Sequence, residues 1–65
     1  MIDTRLYDIR WFDSTKAGNL IVRKYQGKIQ QTDDCYLILY RHKIKCINKA
    51  DCFAHVWENN QWQLV

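Results

Sequence analysis

Proline is absent from this 65-residue sequence and glycine occurs only twice. That rules out a proline-rich spacer, a Gly/Ser linker and the glycine-rich loops that cradle phosphates. No apolar run approaches the roughly 18 residues needed to cross a bilayer. The opening Met1-Ile2-Asp3-Thr4-Arg5 carries an acid and no apolar stretch, so it does not read as a secretory signal, and cytoplasmic residence is expected. Cysteines number three, and an odd count suits a reducing compartment better than a disulfide framework. Acids are missing from two long stretches. Between Ser14 and Thr32 lie Lys16, Arg23, Lys24 and Lys28 without an acid, and between Cys35 and Ala50 lie Arg41, Lys43, Lys45 and Lys49 without one. With a net charge of only +3, this patchy distribution excludes an acidic mimic of nucleic acid and allows a local positive face.

What is present is apolar and aromatic. The hydrophobic fraction is 48%, with three Trp, four Tyr and two Phe, which is globular rather than disordered composition. A chain this short buries only about 60% of its unfolded surface, so one thin core in a single domain over residues 1–65 is expected.

The periodicity is that of strands. From Arg5 to Phe12, Tyr7, Ile9 and Trp11 fall on one face and Asp8 and Arg10 on the other. Asp13 to Asn19 is a polar connection, Leu20 to Tyr25 a second strand, Gln26-Gly27 a turn, and Gln30 to Asp34 an exposed loop. Cys35 to Ile47 alternates over thirteen positions, which exceeds the usual strand length and predicts a bend near Arg41-His42. The C-terminal segment has two readings. In one, Asn59-Asn60 closes a two-residue hairpin that pairs Glu58 with Gln61, Trp57 with Trp62, Val56 with Gln63 and His55 with Leu64, since Asn tolerates the positive φ such turns require. In the other, Asn48 caps a short helix over about residues 49–58, with Ala50, Phe53, Val56 and Trp57 as its apolar stripe. The expected fold is therefore all-β, a small curled antiparallel sheet or barrel of about five strands, with an α+β arrangement as the alternative.

Candidate chemistry is sparse. His42 with Cys46 and Cys52 with His55 are ligand types that zinc accepts, but only five residues separate the two pairs. Along a strand, moreover, His42 and Cys46 would stand about 13 Å apart. Cys46 and Cys52 read instead as buried small hydrophobes, or as a disulfide if the loop between them were tight. No nucleophile–base–oxyanion set is recognisable, and no cofactor is implied, so no enzyme is expected.

The positive leads are surfaces. Arg41, Lys43 and Lys45 on one strand face would stand about 6.6 Å apart, close to the phosphate spacing along a strand of DNA. Arg23, Lys24 and Lys28 could extend that face, and Tyr25, Tyr36, Tyr40, Trp57 or Trp62 could stack on bases or anchor a protein partner. A solvated strand edge guarded by lysines would look the same in sequence. The reading is of a small non-enzymatic binding protein. Its foremost form is a protein–protein interaction module or inhibitor of the kind phages and mobile elements encode, including anti-defence and anti-CRISPR roles. A nucleic-acid-binding barrel is the alternative and a zinc-stabilised mini-domain the second; a homodimer is compatible with all three.

Overall fold

In a computed structural model that describes residues 4–65, the chain is built from short antiparallel strands. Met1 to Asp3, part of the opening segment that does not read as a secretory signal, lie outside the described residues. In chain order the strands are β1 (Tyr7–Ser14), β2 (Leu20–Gly27), β3 (Gln30–Gln31), β4 (Cys35–Tyr40), β5 (Lys43–Asn48), β6 (Cys52–Glu58) and β7 (Gln61–Leu64). They form two sheets, one ordered β2-β1-β6-β7 and the other β3-β4-β5, here called the larger and the smaller sheet. The molecule is thus all-β, and its core lies between the two sheets.

Strand β1 supplies the centre of that core. Its odd positions Tyr7, Ile9 and Trp11 are buried, at 1%, 0% and 5% exposure. Neighbouring β6 adds Ala54 and Val56, in register with Ile9 and Tyr7. The smaller sheet answers with Tyr36, Ile38 and Ile47. Across the interface Tyr7 lies 6.2 Å from Tyr36 and Trp11 meets Tyr40 edge-on at 5.3 Å, ring centroid to centroid. Each fully buried Ile of this kind contributes about 1.5–3 kcal/mol.

The chain crosses from the larger to the smaller sheet between Gly27 and Gln30, and Tyr25 pins the crossing. Its hydroxyl donates to the Lys28 carbonyl at 2.6 Å, passing so close over Gly27 that a Cβ there would sit 3.0 Å from that oxygen. Ile29 is thereby turned into the core. Gln30-Gln31, expected in an exposed loop, pairs instead with Leu37 and Tyr36 as β3.

The long Cys35–Ile47 segment is a hairpin, not one bent strand. Arg41 and His42 both have positive φ, 52° and 65°, the geometry of a tight two-residue turn. The strand count consequently exceeds the five expected. Such a turn places residues 40 and 43 opposite each other on the same face, so the alternation reverses after it. Tyr36, Ile38 and Tyr40 keep the inward face, joined by Lys43, Lys45 and Ile47. Ile44 and Cys46 turn outward and are exposed, which overturns the sequence reading of Cys46 as buried.

At the C-terminal end the two readings divide between them. Asn48 does cap a helical turn, its Oδ1 accepting from the Ala50 N–H at 2.9 Å. That turn is a single 3-10 turn, Lys49–Asp51, and Cys52 is already extended. The segment then alternates, Ala54 and Val56 inward, Phe53 outward, and burial at period two defeats the helix. Asn59 and Asn60 have φ of 53° and 63°, and the β6–β7 register is the expected one at all four pairs. The N–H of Val65 continues the pairing to the Ala54 carbonyl, and that of Trp57 reaches the Leu6 carbonyl.

Candidate functional site

Two surfaces stand out: the outward face of the larger sheet and a basic corner where the two sheets meet. The outward face collects residues of the parity opposite to the core. Phe12 lies across from Val22, Ser14 from Leu20, Trp57 from Trp62 and His55 from Leu64. Phe12 and Phe53 meet edge-on at 6.4 Å. Leu20 and Leu64 are each 73% exposed, and Val22, Phe12, Phe53, Trp57 and Trp62 are exposed as well. In sum their apolar surface is on the order of one partner's share of a standard protein interface, about 800 Å². A polar strip crosses the middle: Asp8 accepts from Arg10 at 3.2 Å and from Gln26 at 3.3 Å. Beside the strip lies a shallow hollow of about 430 Å³, lined by Asp8, Arg10, Gln26, Phe53, His55 and Trp62. Of the exposed apolar residues here, sequence reasoning named only the two tryptophans as binding candidates. Phe12, Val22 and Phe53 could have been found by asking which apolar residues fall on the wrong parity for a core already filled by Tyr7, Ile9 and Trp11.

The smaller sheet also turns apolar side chains outward. Leu39 and Ile44 face each other across β4–β5 and border a groove of about 470 Å³ with Leu37, Ile29 and Lys28.

The basic candidates are regrouped by the hairpin. Arg41, Lys43 and Lys45 do not line one strand face, because Arg41 sits in the turn. Arg41 instead lays its guanidinium over the Tyr40 ring, 5.3 Å from the centroid. Lys43 pairs with Tyr40 across β4–β5, and Lys45 with Ile38. From the other sheet Arg23 arrives beside Trp11. It interacts with the Tyr40 hydroxyl and donates to Asp13 at 3.1 Å. The Ser14 backbone N–H and the Arg23 guanidinium hold the Asp13 carboxyl below its ordinary value, and Lys45 adds to that field. Arg23, Arg41 and Lys43 therefore gather at Tyr40, with Lys45 next along β5 and close enough to act on Asp13. Lys24 is elsewhere, on the outward face of the larger sheet opposite Arg10, and Lys28 lies in the crossing between sheets. Nearby, the indole N–H of Trp11 is buried without a hydrogen-bond partner among the described residues.

The tyrosine candidates are mostly structural. Tyr36 is buried in the core, so it is unavailable to a partner, while Tyr25 and Tyr40 are half-buried against the core. Burial raises the Tyr36 hydroxyl above its usual range.

The four zinc candidates do not converge. His42 is at a hairpin tip, Cys46 outside the smaller sheet, Cys52 against the core and His55 outside the larger sheet. Among the described residues no three His, Cys, Asp or Glu side chains gather as a metal site. The same placement separates Cys46 from Cys52 and excludes a disulfide between them; all three cysteines are free thiols. The neighbour of Cys46 is Cys35, diagonal to it on the outward face of β4–β5, and their thiol contact together with burial raises the Cys35 thiol.

No helix of the described residues is long and apolar enough to cross a membrane. Comparison with protein families, with curated proteins and with solved structures finds nothing that this chain matches.

Proposed function

We propose that this chain is a non-enzymatic binding module that engages another protein through the outward face of its larger sheet. One observation carries the reading: Phe12, Val22 and Phe53 at one end of that face, with Trp57, Trp62 and Leu64 at the other, remain exposed although the core is complete without them. Two exposed apolar clusters flanking a polar strip on a small domain mark an interaction surface more often than an accident of composition. Its aromatic content is that of interface hot spots, and its central Asp8–Arg10 strip supplies the polar contacts that fix orientation. An inhibitor or adaptor of the kind mobile elements encode would act in this way, and the free thiols suit a reducing cytoplasm.

The test is affinity capture from a bacterial lysate with tagged protein, alongside Phe53→Lys and Trp62→Lys. Both positions face outward, so both variants should keep the native circular dichroism, melting a few degrees lower where the Trp57–Trp62 or Phe12–Phe53 ring contact is lost. The expected result is a specific protein retained by the native chain and lost with either variant. Identical capture by native and variant proteins would overturn the reading.

A further inference from the structure

The corner around Tyr40 has a composition that the protein-binding reading does not use. Arg23, Arg41, Lys43 and Lys45 converge there from two strands and a turn, and among the described residues the acid beside them is Asp13, already engaged by Arg23. Like charges gathered in this way repel one another, and they are stabilised by an anion that satisfies several of them at once. Lysines that merely guard a sheet edge would need no arginine brought in from the opposite sheet. The Arg41-His42 turn points the same way. Both residues occupy the left-handed region, which Asn and Gly adopt far more readily, and the result is an arginine held against the Tyr40 ring. Strained backbone of this sort concentrates at functional positions.

We propose that this corner binds the phosphodiester backbone of a nucleic acid. Lys43 and Lys45 share one strand face, about 6.6 Å apart, close to the phosphate spacing along one nucleic-acid strand. Arg41, at the hairpin tip, extends that row, and Arg23 closes it from the other sheet. Tyr40 is covered by Arg41 on its face and meets Trp11 in an edge-to-face contact, so it orients the guanidinium and is not a stacking platform. Recognition is accordingly of the backbone, without base specificity. This site is separate from the outward face of the larger sheet, and neither proposal depends on the other.

The experiment is fluorescence anisotropy with labelled oligonucleotides of mixed sequence, one single-stranded and one duplex, titrated at several salt concentrations. Arg41, Lys43 and Lys45, which form no ion pair among the described residues, predict that log affinity falls with log salt at a slope of about −2 for a single strand, at roughly 0.7 per phosphate contact. The steeper and tighter arm assigns the form preferred. Lys43→Glu should weaken binding at least tenfold at low salt. Lys43→Gln, which perturbs the fold least, should weaken it less and lower the slope by about 0.7. Asp13→Asn should tighten binding by releasing Arg23, and Phe53→Lys on the other surface should not weaken it. Absence of binding to both oligonucleotides at low salt overturns the proposal, as does equal affinity of Lys43→Glu and native protein.

Discussion

Trp57 and Trp62 face each other across the β6–β7 hairpin with ring centroids 5.3 Å apart and planes at 69°. Edge-to-face pairs of this kind gain about 0.5–1.5 kcal/mol beyond their area burial. A double-mutant cycle with Trp57→Ala and Trp62→Ala, read by urea unfolding under circular dichroism, should return a coupling energy in that range. The pair also holds two exposed indoles in one orientation, so a measured coupling near zero would mean that half of the proposed protein-binding face is not pre-organised.

The β4–β5 turn yields a prediction of opposite sign. Arg41 and His42 pay for positive φ without the relief that Asn or Gly would bring, at about 1 kcal/mol or more per residue. The double substitution Arg41→Asn, His42→Gly should stabilise the domain by about 1–2 kcal/mol. For a domain of this size each kcal/mol raises the melting temperature by about 4–8 °C. The same variant should bind oligonucleotides more weakly, because Arg41 is gone. A melting temperature that falls would show that these side chains contribute more to folding than their backbone costs.

That turn also marks where the sequence stopped being legible. Tyr7, Ile9 and Trp11 were recognisable as core from alternation alone, and Asn59-Asn60 announced its hairpin because Asn is at home at positive φ. Arg41-His42 carries no such signal. Without a turn in the chain, the parity of Ile44 and Cys46 is read backwards, and Lys43 and Lys45 are assigned to the wrong neighbours. The basic residues were visible as a group; their convergence on Tyr40 with Arg23 was not, because it depends on which strands meet across the core. The outward apolar face escaped for a different reason. Phe12 and Phe53 resemble core residues in composition, and only the register separates the faces.

The thin core makes inward positions costly to change. Ile9 is fully buried at the centre of β1, so Ile9→Ala should lose about 2–5 kcal/mol through lost burial and the cavity left behind. A chain of this length has only about 3–10 kcal/mol in all, so the variant should lose a large share of its stability and unfold at a much lower urea concentration, whereas Ile9→Val should cost about 1 kcal/mol. Val22→Ala, on the outward face, should change stability by less than about 0.5 kcal/mol. Urea melts of the three variants check the contrast. A Val22→Ala loss equal to that of Ile9→Ala would mean that the outward face is part of the folded core.

The cysteines should separate cleanly under alkylation. The thiolate is the reacting form, and Cys46 is exposed on the outward side of the smaller sheet. Contact with Cys46 and burial raise the Cys35 thiol, and burial with the nearby Asp51 charge raises that of Cys52. At mildly alkaline pH iodoacetamide should therefore modify Cys46 first, Cys35 next and Cys52 last, as followed by mass spectrometry with peptide mapping. Cys46→Ala should speed the modification of Cys35 by removing the contact that holds its proton. The same shifts predict how stability depends on pH. Between the ordinary thiol value and the raised one, the unfolded chain binds fewer protons than the folded chain, so folding weakens as pH rises through that window. Replacing Cys52 by Ala should flatten that alkaline decline. If Cys52 reacted as fast as Cys46 in the folded protein, the packing of β6 against the core would be wrong at that position.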